Sequence, residues 1–448
     1  MGRSFDHAGR RPKGRPAWAL ILLVAVWASA ARAEDQSQLK ISGLVLYENY
    51  SYAQRVPGAT IDARNELTLR PRVEFSPSQK FDGAASMEFR EDASDRGRSK
   101  AYLYEAYLNV YFPKWNLTAG RQFIAWGRAD TLRPTDLFTR RDYTDLVERR
   151  EEAIVAVKGD VELGSGMLEL VWSPIFEGDI LPLAPQNRWF LLPRSLSVAS
   201  AGPLAAAYQF EDRAEPGNGL ESSQVGVRLT GHAGGWDYGL MYAWTLDRIP
   251  TYFETRAVQS DLAQGTASVV LVPHYRRLHV FGADFATVLS RIGVRGEAAY
   301  TLTENRNGTD DLIDAPYLRV VGGLDYTWNL FGGTELFAIL QYAADLEVPR
   351  RREPNQESPS DPIRFRHFYR RAGLLNAELR ISEFLKPVLK AFVNLEKGDF
   401  VLQPEIRWVP LDGLAVTVGA DLLGGGEGTF FGAFRKNSRA RAQLTGRF

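Results

Sequence analysis

Charged side chains alternate with apolar ones through most of this chain, and that spacing decides what chemistry they can do. In the segment 62–75, Arg64, Glu66, Arg70, Arg72 and Glu74 fall on one face of an extended strand, and Leu67, Leu69, Val73 and Phe75 fall on the other. The same face of other alternating segments carries Arg90, Arg228, Arg295, Arg319, Arg380, Arg407, Arg439 and Arg441. Interleaved with them are Glu88, Glu105, Glu169, Glu297, Asp325, Glu378, Glu396, Glu405 and Asp421. A wall of mixed sign can hold itself together by cross-strand pairs, or it can line a polar passage. Neither sign dominates, so strong ion selectivity is not expected.

Residue types suited to catalysis are sparse. The chain has no cysteine, which removes disulfides, thiolate metal sites, a cysteine nucleophile and covalently attached haem. His232, His274, His279 and His367 show no metal-ligand spacing. The expectation is no metal, no cofactor and no enzymatic activity. Fifty-four basic residues balance fifty-four acidic ones, so there is no cationic footprint for nucleic acid.

The elements that must position these faces are strands. Past residue 33 there is no apolar run of helical spanning length, while aromatic residues make up 12% of the chain. In a bilayer only helices or closed barrels satisfy their own backbone hydrogen bonds. The reading is therefore an all-β transmembrane antiparallel β-barrel. Alternation picks out 39–50, 62–75, 83–91, 101–112, 115–122, 153–161, 166–174, 222–232, 235–246, 275–288, 292–303, 317–328, 333–344, 369–380, 387–396, 400–409, 414–423 and 438–448. That makes eighteen strands, with sixteen as the alternative count; an even number returns both ends to the periplasm.

The connections fit short periplasmic turns and long extracellular loops. Alternate links are brief, such as 112–114, 233–234 and 410–413, and the interleaved ones include 51–61, 123–152, 175–221, 247–274, 304–316, 345–368 and 424–437. Only the link near Gly398 and Asp399 breaks the contrast. Tyr47, Tyr50, Trp115, Trp172, Trp236, Trp244, Trp328 and Trp408 lie near strand ends, where aromatic belts meet lipid headgroups and lipopolysaccharide.

Both ends carry export signals. Arg10, Arg11, Lys13 and Arg15 precede an apolar stretch and Ala31-Arg32-Ala33, so residues 1–33 read as a signal peptide and 34–448 as one barrel domain. Strand pattern begins too soon after residue 33 for a TonB-type plug. At the other end Ala440, Ala442, Leu444, Gly446 and Phe448 share a face. A terminal aromatic closing an alternating strand is similar to the signal that the barrel assembly machinery reads.

Two long connections carry residues of their own. The segment 123–152 holds Arg128, Asp130, Arg133 and Asp136 among many charges; folded into the mouth, it would set a constriction. Asp145 and Arg149 are four apart, as on a surface helix. The segment 175–221 gathers Phe176, Leu181, Trp189 and Phe190, which suits either binding an apolar solute or packing among loops.

The run Gly120-Arg121-Gln122, Trp126-Gly127, Pro134-Thr135-Asp136 and Arg141-Asp142 resembles a family of proteobacterial outer-membrane proteins, the DUF1302-like proteins of unknown function. Arg133 stands where that family usually has Asn. The resemblance implies a barrel over the whole mature chain. It also implies an association with periplasmic carriers and inner-membrane transporters of the resistance-nodulation type that move apolar compounds. Residues and resemblance together lead to the expectation of a channel or porin-like transporter for a small polar or apolar solute. The alternative is a non-conducting barrel serving as the outer-membrane component or sheath of a transport or electron-transfer complex.

Overall fold

The computed structural model describes residues 39–59, 61–198, 202–211, 216, 219–310, 312–348 and 367–448. The expected signal peptide lies outside them. Eighteen strands form one sheet: Leu39–Tyr52, Ala63–Ser78, Phe81–Asp92, Lys100–Tyr111, Trp115–Gln122, Ile154–Leu163, Gly166–Ser173, Gln224–Ala233, Trp236–Leu246, Arg277–Leu289, Ile292–Leu302, Tyr317–Asn329, Glu335–Glu347, Arg371–Arg380, Leu385–Asn394, Phe400–Leu411, Leu414–Gly424 and Arg439–Arg447. Each pairs antiparallel with its neighbours in this order. The first strand also pairs with the last, Tyr50 facing Arg441 and Leu44 facing Arg447, which closes the ring.

Closure leaves no strand edge, and the period of two then assigns every side chain to the outside or the lumen. The burial pattern is inverted relative to a water-soluble sheet. Leu340 is 61% exposed on the outer surface, whereas Glu66 in the lumen is 0% exposed. An outer wall of Leu, Phe and Val suits lipid, where a charged side chain at mid-depth would cost about 2–4 kcal/mol. Tyr47, Trp115, Trp172, Trp236, Trp328 and Trp408 are exposed on this wall, at 40–50%. Tyr50 departs from the expected belt: it points into the lumen, fully buried, with its hydroxyl donating to Glu48 at 2.8 Å.

All eighteen expected segments coincide with barrel strands, and the link 395–399 is the shortest at the long-loop end. The connections 174–223 and 247–276 hold structure that alternation did not reveal. They contribute Ser195–Val198, Gly202–Phe210, Tyr252–Asp261 and Thr266–His274 to a four-stranded sheet outside the barrel, in which Gly202–Phe210 runs parallel to Thr266–His274. Beneath it Trp189, Phe190, Leu192, Val269, Leu271, Phe430 and Phe431 are buried as one apolar cluster. Phe368 and Phe392 extend this cap, their rings 5.5 Å apart.

Candidate functional site: a segment crossing the lumen

The segment 123–152 leaves the fifth strand and turns inward. Its first anchor is apolar. Trp126 and Phe138 are each 1% exposed and meet edge to face with ring centroids 5.0 Å apart. They pack on lumen-facing Ala156, Val171, Met241, Ala243, Val280 and Ala299. A Cβ on Gly226 would lie 2.5 Å from the Trp126 ring, so the wall is thinned there to admit the indole. The indole N–H donates to Glu169.

The second anchor is electrostatic. Glu297, on Ile292–Leu302, accepts from the backbone N–H groups of Arg128 and Ala129 at 3.0 Å, and from the N–H and hydroxyl of Thr135 at 2.7 Å. Gly127 makes the approach possible: its φ is +96°, and a Cβ there would sit 2.5 Å from a Glu297 oxygen. Arg128 donates to Asp284 at 2.7 Å, and Arg295 grips Asp130 through Nη1 at 3.0 and 3.1 Å.

The later half of the segment reaches the other wall. Arg64 and Glu148 meet at 2.9 Å, Arg150 reaches Glu48 and Glu66 at 2.5 Å, and Lys100 reaches Asp142 at 3.3 Å and Glu152 at 3.2 Å. The Tyr50 hydroxyl also lies against the Glu148 carboxylate, and Arg439 pairs with Asp145. Ala63–Ser78 is the second barrel strand and Ile292–Leu302 the eleventh, nine apart in a ring of eighteen. The segment therefore touches diametrically opposite walls. Burial raises the Glu148 carboxyl, but Arg64 and Arg150 outweigh burial and hold it well below the usual range.

The segment contains no helix. Arg140–Asp142 and Arg150–Glu152 pair as a short hairpin, and Asp145 takes the N–H groups of Val147 and Glu148 at 3.1 Å instead of meeting Arg149. Wall charges draw the side chains outward, so spacing along the segment does not govern their partners. Two other connections brace it. Arg248 donates to the carbonyls of Leu137 at 2.9 Å and Phe138 at 3.2 Å, and the Arg141 N–H donates to Asp179 at 2.8 Å. Burial pushes the Asp179 carboxyl up to about 6 and the Arg248 guanidinium down to about 10.

The remaining candidates from the sequence fall into three places. Arg64, Glu66, Arg133 and Asp136 lie in the contact between segment and wall or within the segment itself; Arg133 pairs with Asp136 at 2.9 Å. Arg70 pairs with Glu88, Arg72 with Glu74 at 2.7 Å and with Glu105, Arg295 with Asp325, and Arg319 with Asp345 at 2.8 Å. Arg407 is exposed in the short-turn half, and Glu396 sits in the turn after Asn394 rather than on the wall. The apolar candidates are covered: Phe176 packs on Tyr275, while Trp189 and Phe190 are 2% and 6% exposed in the cap and Leu181 packs beside them. They offer no open apolar surface. Phe448 hydrogen-bonds Gly43 in both directions at the barrel seam.

Glu48, Tyr50, Asp284 and Arg248 belong to this site and were not singled out by spacing. On Arg277–Leu289 the lumen face carries Leu278 and Val280 beside Asp284 because Trp126 and Phe138 pack there, so both faces of that strand read as apolar.

No curated protein is recognisably similar in sequence. Among solved structures, OccK9 (OpdG) of Pseudomonas aeruginosa matches with a TM-score of 0.51 and 11% identity, over 92% of this chain and 97% of its own. OccK3 (OpdO) of the same organism matches with a TM-score of 0.50 and 10% identity, over 94% and 97%. Wzi, described as a carbohydrate-binding β-barrel and an outer-membrane protein involved in group 1 capsule assembly in Escherichia coli, matches with a TM-score of 0.48 and 11% identity, over 96% and 89%. At such identities the likeness is one of fold: an outer-membrane-type β-barrel. Residues 36–316, more than half of the chain, match the family described as protein of unknown function (DUF1302), and the protein belongs to that family.

Proposed function

We propose that this protein is an outer-membrane transporter for a small solute, whose passage runs past the segment 123–152. The observation that carries the reading is the double anchorage of that segment, to Glu297 and Arg295 on one wall and to Arg64, Glu66 and Glu48 on the opposite wall. A lumen crossed in this way is too restricted for large solutes, and its internally paired charges give little preference for either ion sign. Export through the periplasm, with the short turns facing it, belongs to the same proposal.

Solute flux into liposomes carrying the refolded full-length chain tests this. Glycerol and small sugars should enter, while a dextran should not; no flux for any solute would reject transport by the barrel alone. That second outcome would fit the other reading, a closed barrel that serves as the outer-membrane component of a larger transport complex. What favours this alternative is the aromatic cap of Trp189, Phe190, Phe430 and Phe431 above the same lumen.

A further inference from the structure

Below the crossing segment, the short-turn half of the lumen keeps a cavity of about 470 Å³ against the strands Lys100–Tyr111, Trp115–Gln122 and Ile154–Leu163. Its size falls within the ~300–1,000 Å³ range of small-molecule sites. We propose that this cavity is a binding subsite for a neutral polyhydroxylated solute of saccharide type, an inference that rests on the transport reading above and names its substrate class.

Three features of the lining carry the proposal. The first is aromatic surface. Tyr107 and Tyr111 stand on the same lumen face, and Phe123 closes the upper end, its ring 5.1 Å from that of Tyr104. Such rings stack on the C–H faces of a sugar while their edges leave its hydroxyls free.

The second is a polar array already oriented by the wall. Thr118 donates to Asn109 at 2.7 Å, Asn109 donates to Asp82 at 2.6 Å, Tyr111 donates to Asp82 at 2.9 Å, and Arg72 donates to Tyr107 at 3.2 Å. Side chains fixed before binding lose little further freedom when a solute arrives. The third is a neutralised charge in the lining. Lys158 lies 3.1 Å from Asp160 Oδ2, and both residues line the cavity. The pair offers donors and an acceptor to solute hydroxyls without a net charge.

The alternatives fit the lining less well. An apolar solute would strip water from Lys158, Asp160 and Asn109 without replacing its hydrogen bonds. An anion or cation would find Lys158 paired with Asp160 and Arg72 paired with Glu105, so no uncompensated charge awaits it.

The test uses the folded full-length barrel in detergent and saturation-transfer NMR titrations with sucrose, gluconate and indole. Sucrose should bind saturably and in preference to the other two. Asp160→Asn and Tyr107→Leu should each weaken sucrose binding about tenfold, the scale of one well-placed contact. Lys390→Gln, in another sector of the wall, should leave it unchanged. Heat-modifiable migration on gels confirms that each variant is folded, and the conservative Asp160→Asn keeps the test available if Tyr107→Leu is not.

No saturable sucrose signal, a signal that Asp160→Asn leaves intact, or preference for gluconate or indole would overturn the subsite. Sucrose binding by a barrel that passes no solute would keep the subsite and reject transport. Flux without saturable binding would do the reverse.

Discussion

Thr135 gives Glu297 two hydrogen bonds, one from its backbone N–H and one from its hydroxyl, both 2.7 Å long and both to the same carboxylate oxygen. The other oxygen takes the N–H groups of Arg128 and Ala129. One wall carboxylate, itself only 4% exposed, thus fixes three backbone positions of the crossing segment.

Glu297→Ala would leave those N–H groups without their acceptor, at about 1–3 kcal/mol for each that stays buried. The expected result is local release: amide exchange over residues 127–135 should accelerate by at least about a hundredfold, two units of ~1.4 kcal/mol. Glu297→Gln keeps an acceptor and should have the smaller effect. Unchanged exchange in the alanine variant would show that the segment is held by its other contacts.

Arg439 is 3% exposed and joins Asp145 of the segment to Asp421 of the wall, the latter at 2.6 Å. Arg439→Met should destabilise the barrel by about 1–3 kcal/mol, because Asp145 and Asp421 lose their shortest ion pairs and keep Arg64 at 3.6 Å and Arg441 at 3.4 Å. Adding Asp145→Asn should recover part of that loss. Denaturant unfolding of the two single variants and the double variant measures the coupling, and strictly additive effects would contradict the pairing.

His367 lies 2.9 Å from Asp345 and 3.5 Å from Asp314. Burial lowers the proton affinity of its imidazole, but the two carboxylates outweigh this and raise its pKa to about 10. The folded value exceeds the ordinary 6.5, so the stabilisation is complete below about pH 6.5 and is lost as pH rises toward 10. Imidazole NMR should show His367 still protonated at pH 8. His367→Gln should remove the matching alkaline decline in thermal stability; titration near 6.5 would refute the assignment.

Gly43 leaves space for the terminal ring at the seam, since a Cβ there would fall 2.4 Å from the Phe448 Cζ. Gly43→Val should displace that ring and lower the refolding yield several-fold, and Phe448→Ala should do the same through lost seam packing. Combining them should cost little more than either alone, which gel-shift refolding assays can measure.

The strand plan was legible because lipid outside and charge inside enforce a period of two, as Leu67 and Leu69 against Glu66 and Arg70 show. Legibility failed where that contrast vanishes. Opposite Trp126 and Phe138 the lumen face is itself apolar, so Asp284 did not stand out beside Leu278 and Val280. Tyr50 looked like a belt residue from its place near a strand end, although its spacing of two from Glu48 puts it on the charged face, where Arg64 lies over its ring. Asp145 and Arg149 have helical spacing, yet their partners are set by wall residues distant in sequence, which no local pattern encodes. The outer sheet escaped notice because Thr266–His274 is a nearly continuous apolar run rather than an alternation.

Single-channel conductance of the full-length barrel and of a variant lacking residues 128–150, both refolded and confirmed by heat-modifiable migration, tests the central claim most directly. The crossing segment predicts a several-fold larger unitary conductance once it is removed, from a wild-type barrel that conducts weakly. Equal conductance of the two would contradict the claim that residues 123–152 restrict the lumen.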